Sequence, residues 1–114
     1  MNIRRGRVYV VDFNPPIRTK PGKLRPAIVL QSDLVTEAGY PSTIVVPATT
    51  RTVANPGILR MRVLAGEAGM ERDSDLLLGQ VIAVANESFR QEIGSLSPET
   101  MRELDRRLRI ILDL

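Results

Sequence analysis

Short runs of β-forming residues, separated by turn residues, are the feature that most constrains how this 114-residue chain folds. The first run, RVYVVDF at residues 7–13, is rich in β-branched and aromatic side chains and stops before two prolines, which cannot continue a strand ladder. The run AIVL within residues 26–31 is purely apolar and predicts a strand that is buried on both faces. Similar patterns predict further strands at residues 43–48, 58–64, 76–85 and 88–93.

A single long helix is predicted after these strands. Ser97 is a suitable N-cap and Pro98 is tolerated at the first helical position, so we expect the helix to begin there and to extend to about Leu112. A short helical turn is also predicted at residues 33–38. Several strands and one closing helix favour a mainly β (α+β) fold, a small antiparallel barrel with a helix packed against it, in a single domain of residues 1–114. The stripe predicted to pack on the sheet consists of Met101, Leu104, Leu108, Ile111 and Leu112.

The order ILRMRVL at residues 58–64 alternates apolar and cationic side chains. Such alternation is typical of an antiparallel strand that is buried on one face only. We therefore expect Leu59, Met61 and Val63 to face the core. Arg60 and Arg62 are expected to face water.

The residue types that are absent narrow the possible chemistry. The chain has no cysteine and no histidine, which excludes disulfides, thiolate nucleophiles, the usual zinc ligands and an imidazole acid or base. We expect neither a metal nor another cofactor. No apolar stretch reaches the roughly 18 residues of a membrane helix, and the N-terminus lacks the features of a signal peptide. The expected location is the cytoplasm, without membrane association.

Positive charge is concentrated at the N-terminal end of the chain. The formal net charge is +3, but residues 1–25 contain seven cationic side chains against one carboxylate, a local balance of +6. Four of these cations, Arg18, Lys20, Lys23 and Arg25, lie in the proline-rich segment 14–26 that enters the apolar run AIVL. Such a patch favours a polyanionic partner, either nucleic acid or an acidic protein. With only four aromatic residues, recognition must depend on charge and hydrogen bonds more than on base stacking.

Several short motifs follow one another along the chain: Arg5-Gly6, VYVVDF followed by Pro15, GKLRPAIVL at 22–30, VVPATT at 45–50, ERDS at 71–74, Gln80 and IGSL at 93–96. Together with the order of the elements, they resemble the MazF/PemK/Kid family of toxin endoribonucleases, and the resemblance covers nearly the whole chain. An amphipathic helix at the C-terminus completes the pattern. The chain departs from many relatives at Gly79, where an acidic residue is usual, and at Ser88-Phe89, where an Arg-Leu pair is usual.

The resemblance implies a fold, an activity and partners. The fold would be the SH3-like barrel of plasmid-maintenance toxins. The activity would be metal-independent, sequence-specific cleavage of single-stranded RNA, such as mRNA, to a 2′,3′-cyclic phosphate and a 5′-hydroxyl. Family members act as homodimers and are inhibited by an antitoxin whose acidic, disordered tail covers the RNA groove. We expect the dimer surface to combine the third strand with part of the C-terminal helix.

By position in these motifs, Arg25 matches the family's catalytic arginine and Thr49 its catalytic threonine or serine. Attack of a 2′-hydroxyl on the adjacent phosphorus builds negative charge on the phosphate oxygens, and a guanidinium donates paired hydrogen bonds to that charge while remaining protonated. Thr49 could donate a further bond to the same oxygens. The expected RNA-binding residues are Arg18, Lys20, Lys23, Thr50 and Gln80.

The groups that move the proton are left open by the sequence. Without histidine, no side chain has an ordinary pKa near neutrality. Three alternatives remain: an Arg25 strongly perturbed by burial near other cations, a carboxylate such as Asp12, Asp75 or Glu87, or a rate that arises mainly from positioning and electrostatics.

Two other functions are compatible with a basic chain of this kind. One is a non-enzymatic toxin of the same fold, similar to the gyrase poison CcdB, which binds DNA gyrase through its C-terminal helix. Such a toxin does not need an arginine and a hydroxyl in one groove, so Arg25 and Thr49 favour the nuclease. The other is a nucleic-acid binder without catalysis.

Overall fold

Seven β-strands and two α-helices make up the computed structural model, which describes residues 2–13 and 23–114. Arg18 and Lys20, which are predicted to bind RNA, lie outside the described residues. None of the helices in the described ranges is long and apolar enough to cross a membrane. The elements are β1 (Arg7–Asp12), β2 (Leu24–Val29), α1 (Asp33–Glu37), β3 (Ser42–Thr49), β4 (Arg60–Val63), β5 (Ser74–Leu77), β6 (Ile82–Ala85), β7 (Phe89–Ser95) and α2 (Pro98–Leu112).

The strands form one antiparallel sheet in the order β4-β5-β3-β2-β1-β7, and β6 pairs with the first half of β3. The predicted mainly β class with a C-terminal helix is confirmed. Closure into a barrel was wrong, because the sheet is open: within the described residues, β4 pairs only with β5 and β7 only with β1. The ends of the sheet are therefore edges.

The loop at residues 64–73 packs against β7 through backbone atoms. A Cβ atom at Gly69 would lie 1.9 Å from the carbonyl oxygen of Ile93, and one at Gly94 would lie 2.5 Å from that of Ala68. Only residues without a Cβ permit this approach, and Gly69 also has a positive φ of +78°. The loop thus brings the β4 side of the open sheet against β7 without strand pairing.

The single strand predicted at residues 76–85 is divided into two. A 3₁₀ turn at Leu78–Gln80 separates β5 from β6, and both strands pair with β3. The turn shifts the register on β3 by three residues. Gly79 therefore marks a real irregularity, as its position in an apolar run suggested, and Gln80 is exposed at the end of the turn.

The core has two parts, one on each face of the sheet, which confirms that AIVL is buried on both sides. On the first face, Val8, Ile28 and Val46 pack with Leu104 and Leu108 of α2. On the second face, the rings of Tyr9 and Phe89 meet edge to face with centroids 5.3 Å apart. The second face also contains Val11, Ala27, Val29, Val45 and Val84.

The C-terminal helix agrees with its predicted bounds. The Ser97 side chain accepts a hydrogen bond from the Thr100 amide, and Pro98 occupies the first turn. Leu104 and Leu108 are buried, and Met101 and Ile111 pack against the same core. Leu112 is 54% exposed, so the predicted stripe is too wide at its C-terminal end.

The segment predicted as a strand at residues 58–64 is shorter than expected, and its surroundings differ. Met61 and Val63 are buried, but Leu59 precedes β4 and is 54% exposed. The expectation that Arg60 and Arg62 simply face water was wrong, because both form ion pairs with the fully buried carboxylate of Asp75 on β5. The opposite strand, not solvent alone, determines the environment of these arginines.

Candidate functional site

One concave surface gathers three of the polar residues singled out in the sequence. It is lined by Lys23 just before β2, by Arg25 of β2 and by Gln80 of the turn before β6. Its remaining walls are apolar and come from Phe13, Pro47, Val81 and Ile82. We call this surface the cationic concavity. It combines two cations and an amide with an apolar floor, a composition suited to an anionic ligand that also has a flat apolar part.

Arg25 is half-buried on β2, opposite Val11 of β1. Among the described residues, the hydrogen bonds and ion pairs of the structure do not engage its guanidinium. The β2–β3 ladder ends at Ala27 opposite Pro47. Because side chains alternate along a strand, Arg25 lies on the same face as Ala27, and Thr49 lies on the same face as Pro47. Residues that face each other in an antiparallel ladder project from the same face of the sheet.

Thr49 is the last residue of β3 and is half-buried. Its Oγ1 accepts a hydrogen bond of 3.1 Å from the backbone N–H of Arg51. A hydroxyl that accepts in this way still has its own proton to donate. Thr49 can therefore donate a hydrogen bond to a ligand on its face of the sheet.

Thr50 points away from these residues. It is exposed and lines a different groove, on the opposite face of the sheet, together with Val10 and Pro26. This placement follows from the alternation of side chains along β3, since neighbours project to opposite faces. The structure therefore brings together Lys23, Arg25 and Gln80, sets Thr49 on their face, and separates Thr50 from them.

None of the three carboxylates considered as proton carriers lines the cationic concavity. Asp12 forms an ion pair of 3.3 Å with Arg90 and lies, by alternation on β1, on the opposite face from Arg25. Glu87 is exposed on another part of the surface, near Asn2 and Arg4. Within residues 2–13 and 23–114, no three acidic side chains gather in a way that could hold a metal ion.

Asp75 is held in its ionised form by its own contacts. Burial alone would raise the pKa of this carboxyl, but hydrogen bonds from Arg62, from the Val53 amide and from Arg60 outweigh burial, so its pKa lies below the usual value. Sequence reasoning missed this ion-pair network. The signal that could have revealed it is an aspartate placed directly before the apolar residues Leu76 and Leu77.

Comparison with known proteins identifies the family of the chain. The family model of the PemK-like, MazF-like toxins of type II toxin-antitoxin systems matches residues 4–112. The chain belongs to this family. The resemblance inferred from the sequence motifs is thereby confirmed.

Individual relatives cover the chain from end to end. The curated protein Endoribonuclease EndoA of Bacillus subtilis is 30% identical over 115 residues, which span all of this chain and 97% of the relative. The solved MazE-MazF complex (Form-II) of Deinococcus radiodurans superposes with a TM-score of 0.79 at 18% identity, covering 100% of this chain and 98% of that one. Mycobacterium tuberculosis toxin MazF-mt6 superposes with a TM-score of 0.77 at 18% identity, covering 95% of this chain and 97% of that one. These structural matches establish the fold.

Proposed function

We propose that this protein is the toxin of a type II toxin-antitoxin system and a metal-independent endoribonuclease that cleaves single-stranded RNA, including mRNA, at specific sequences. The observation that carries the proposal is the Arg25 guanidinium, which has no partner among the described residues, lies beside Lys23 and Gln80, and shares its face of the sheet with Thr49. The 30% identical relative that is named an endoribonuclease supports the same activity.

In the proposed reaction, Arg25 and Thr49 act on the phosphate that is attacked. The 2′-hydroxyl loses its proton as its oxygen bonds to phosphorus, the bond to the 5′-oxygen breaks, and that oxygen gains a proton. The products are a 2′,3′-cyclic phosphate and a 5′-hydroxyl. Negative charge grows on the non-bridging oxygens, where Arg25 donates paired hydrogen bonds and Thr49 donates one more. Because no carboxylate of the described residues lines the cationic concavity, positioning and charge stabilisation account for most of the rate.

The remaining predicted residues are proposed as RNA contacts. Lys23 attracts a neighbouring phosphate, and the exposed amide of Gln80 can donate and accept hydrogen bonds at a base edge. Arg18 and Lys20, in the segment between β1 and β2, are proposed to bind further phosphates. Thr50 is proposed as a peripheral contact, since it lines the opposite groove.

Two protein partners are proposed. An antitoxin with an acidic, disordered tail would neutralise Lys23 and Arg25 and so compete with RNA for the cationic concavity. A second copy of the chain would cover an apolar surface on β3 and the end of α2, where Ile44 and Leu112 are 42% and 54% exposed and line a shared groove with Leu114. The cytoplasm, where mRNA and antitoxin meet, is the proposed location.

The competing CcdB-like function, in which the toxin binds gyrase without catalysis, is not favoured. The family match covers residues 4–112 and belongs to the PemK-like and MazF-like toxins. A gyrase pull-down that depended on the last residues of α2 and was indifferent to Arg25→Ala would reverse this ranking.

The activity is tested by incubating the purified protein with one long RNA in EDTA and mapping the cut sites by primer extension. We expect discrete cuts that leave 5′-hydroxyl termini. Arg25→Ala should abolish them. Arg102→Ala, which removes an exposed arginine of α2, is the matched control and should cut normally. Absence of cleavage by the wild type, or normal cleavage by Arg25→Ala, would contradict the proposal.

A further inference from the structure

Asp75 lies on β5 with no solvent exposure, directly before the buried Leu76 and Leu77. A buried carboxylate is stable only when it is paired and hydrogen-bonded. Two guanidinium groups satisfy it: Arg62 donates from Nε, and Arg60 donates from Nη1 at 3.2 Å. Both arginines come from β4, which pairs with β5 so that Arg62 faces Asp75.

The same network also holds the segment that follows β3. The Val53 amide donates to Asp75 Oδ2 at 3.2 Å, and Arg62 Nη2 donates to the Val53 carbonyl at 2.7 Å. Arg60 Nη1 donates to the Arg51 carbonyl at 2.9 Å. Three hydrogen bonds therefore connect the Asp75–Arg60–Arg62 network to the backbone of residues 51–53.

Residues 51–53 are connected in turn to Thr49. The backbone N–H of Arg51 donates to Thr49 Oγ1 at 3.1 Å. The carbonyl of the same residue accepts the hydrogen bond from Arg60. In addition, the β3–β5 ladder sets Thr49 directly opposite Asp75. Arg62, Asp75 and Thr49 thus form a row across three neighbouring strands, on the face that also bears Arg25.

We propose that Asp75, through Arg60 and Arg62, is a positioning residue for Thr49. The network fixes residues 51–53, the Arg51 amide then occupies one lone pair of the Thr49 hydroxyl, and the hydroxyl proton is left directed to the phosphate held by Arg25. This inference rests on the proposed ribonuclease function and adds a group that does not touch the RNA. The two arginines exceed the one carboxylate in charge, so the network also leaves positive charge beside the proposed phosphate site.

The test uses two variants and a matched control. Asp75→Asn keeps the shape of the side chain and removes its charge, while Arg62→Lys keeps the ion pair and removes the second arm to the Val53 carbonyl. Glu92→Gln, which removes the exposed partner of Arg7, is the control. Each protein is measured by amide hydrogen exchange and by steady-state cleavage of one RNA in EDTA.

We expect the peptide covering residues 50–54 to exchange about tenfold faster in Asp75→Asn, with smaller changes in β1 and β2. The kcat should fall about ten- to a hundredfold, because a misplaced hydroxyl loses its contact in the transition state, while KM changes less than about twofold. Arg62→Lys should show the same pattern to a smaller extent, and Glu92→Gln should match the wild type.

The two claims can fail separately. A wild type that does not cut RNA overturns the proposed function, whereas hydrogen exchange still reports on the network. An active Asp75→Asn protein with unchanged exchange at residues 50–54, or with faster exchange there but unchanged kcat, overturns the positioning role. If Asp75→Asn exchanges faster throughout and Arg62→Lys has normal kcat, the role is structural and the inference is also overturned.

Discussion

Two groups of charged residues lie on the same face of this sheet, and they differ in how their polar atoms are satisfied. In the Asp75–Arg60–Arg62 network, the carboxylate is fully buried and every buried polar side-chain atom of the described residues has a hydrogen-bond partner. In the cationic concavity, Arg25 has no partner from the described residues, although β2 holds it in place. The comparison separates charges that organise the protein from charges that remain available for a ligand.

The difference has a physical consequence for mutation. Removing a charge from a satisfied network leaves its partners unpaired, so stability falls. Removing a charge that is held ready for a ligand costs the folded protein little, so function falls instead. Substitutions can therefore show whether a residue stabilises the fold or acts on a ligand.

The largest effect on stability is expected for Asp75→Ala. Loss of one partner from a buried ion pair typically destabilises a protein by about 3–5 kcal/mol, and we expect the lower end because both arginines are partly exposed and can reach water. Urea unfolding measures this change. A loss below about 1 kcal/mol, as is typical of a surface ion pair, would contradict a structural role for Asp75.

The largest effect on activity is expected for Arg25→Ala. Removal of one donor to developing charge typically lowers a rate by about 10²–10³, and the urea midpoint should remain that of the wild type. Single-turnover cleavage of a short RNA gives the rate constant. Arg25→Lys retains the charge without the planar guanidinium, so its cleavage rate should lie between those of the wild type and Arg25→Ala. A stability loss that accounts for the lost rate would move Arg25 into the structural group.

A smaller loss is expected for Thr49→Val, which keeps the branched shape and removes the hydroxyl. A hydrogen bond to a charged group contributes about 1.5–3 kcal/mol, so the cleavage rate should fall about ten- to a hundredfold. Thr50→Val serves as the control, since Thr50 lines the opposite groove and should change the rate much less. Equal losses in the two variants would contradict the assignment of Thr49.

The ion pairs of Asp75 predict that the protein loses stability in acid. Its pKa is lower in the folded protein than the ordinary value of 3.8, so the stabilisation is complete above that value and is lost as pH falls through the folded pKa. The difference in unfolding free energy between wild type and Asp75→Asn should therefore be constant near neutrality and shrink below about pH 4. A difference that does not change down to acid unfolding would contradict the ion-pair account.

The smallest effect is expected for Glu103→Gln on α2. Hydrogen bonds from Arg106 and Arg107 lower the pKa of this half-buried carboxyl to about 2. Ion pairs at the surface contribute little to stability, so neither the urea midpoint nor the cleavage rate should change measurably. A clear loss of cleavage would show that α2 takes part in RNA binding.

Local sequence signals predicted the elements whose structure depends on neighbouring residues. The cap at Ser97-Pro98 fixed the start of α2, and the apolar run AIVL identified the central strand. The motif around Arg25 and the polar Gln80 in an apolar segment also pointed to residues that meet in the cationic concavity. Each of these signals lies within a few consecutive residues.

Long-range pairing explains what the sequence did not predict. Arg60 and Arg62 looked like a solvated face because the alternation of β4 does not show that Asp75 lies on the adjacent strand. The break at Leu78–Gln80 depends on how β3 pairs with both β5 and β6. The packing of residues 64–73 against β7 depends on a backbone contact between Gly69 and Ile93, which are far apart in the sequence. Alternation along one strand shows which face is buried, but it does not show which residue of a distant strand lies opposite.

Arg25 and Thr49 are proposed to act on one phosphate. A double-mutant cycle with Arg25→Ala, Thr49→Val and the combined variant tests it directly through single-turnover rate constants in EDTA. If both side chains bind the same phosphate, the combined variant should be clearly faster than the product of the two single effects predicts. Strictly multiplicative effects would show that the two residues act independently and would contradict the account.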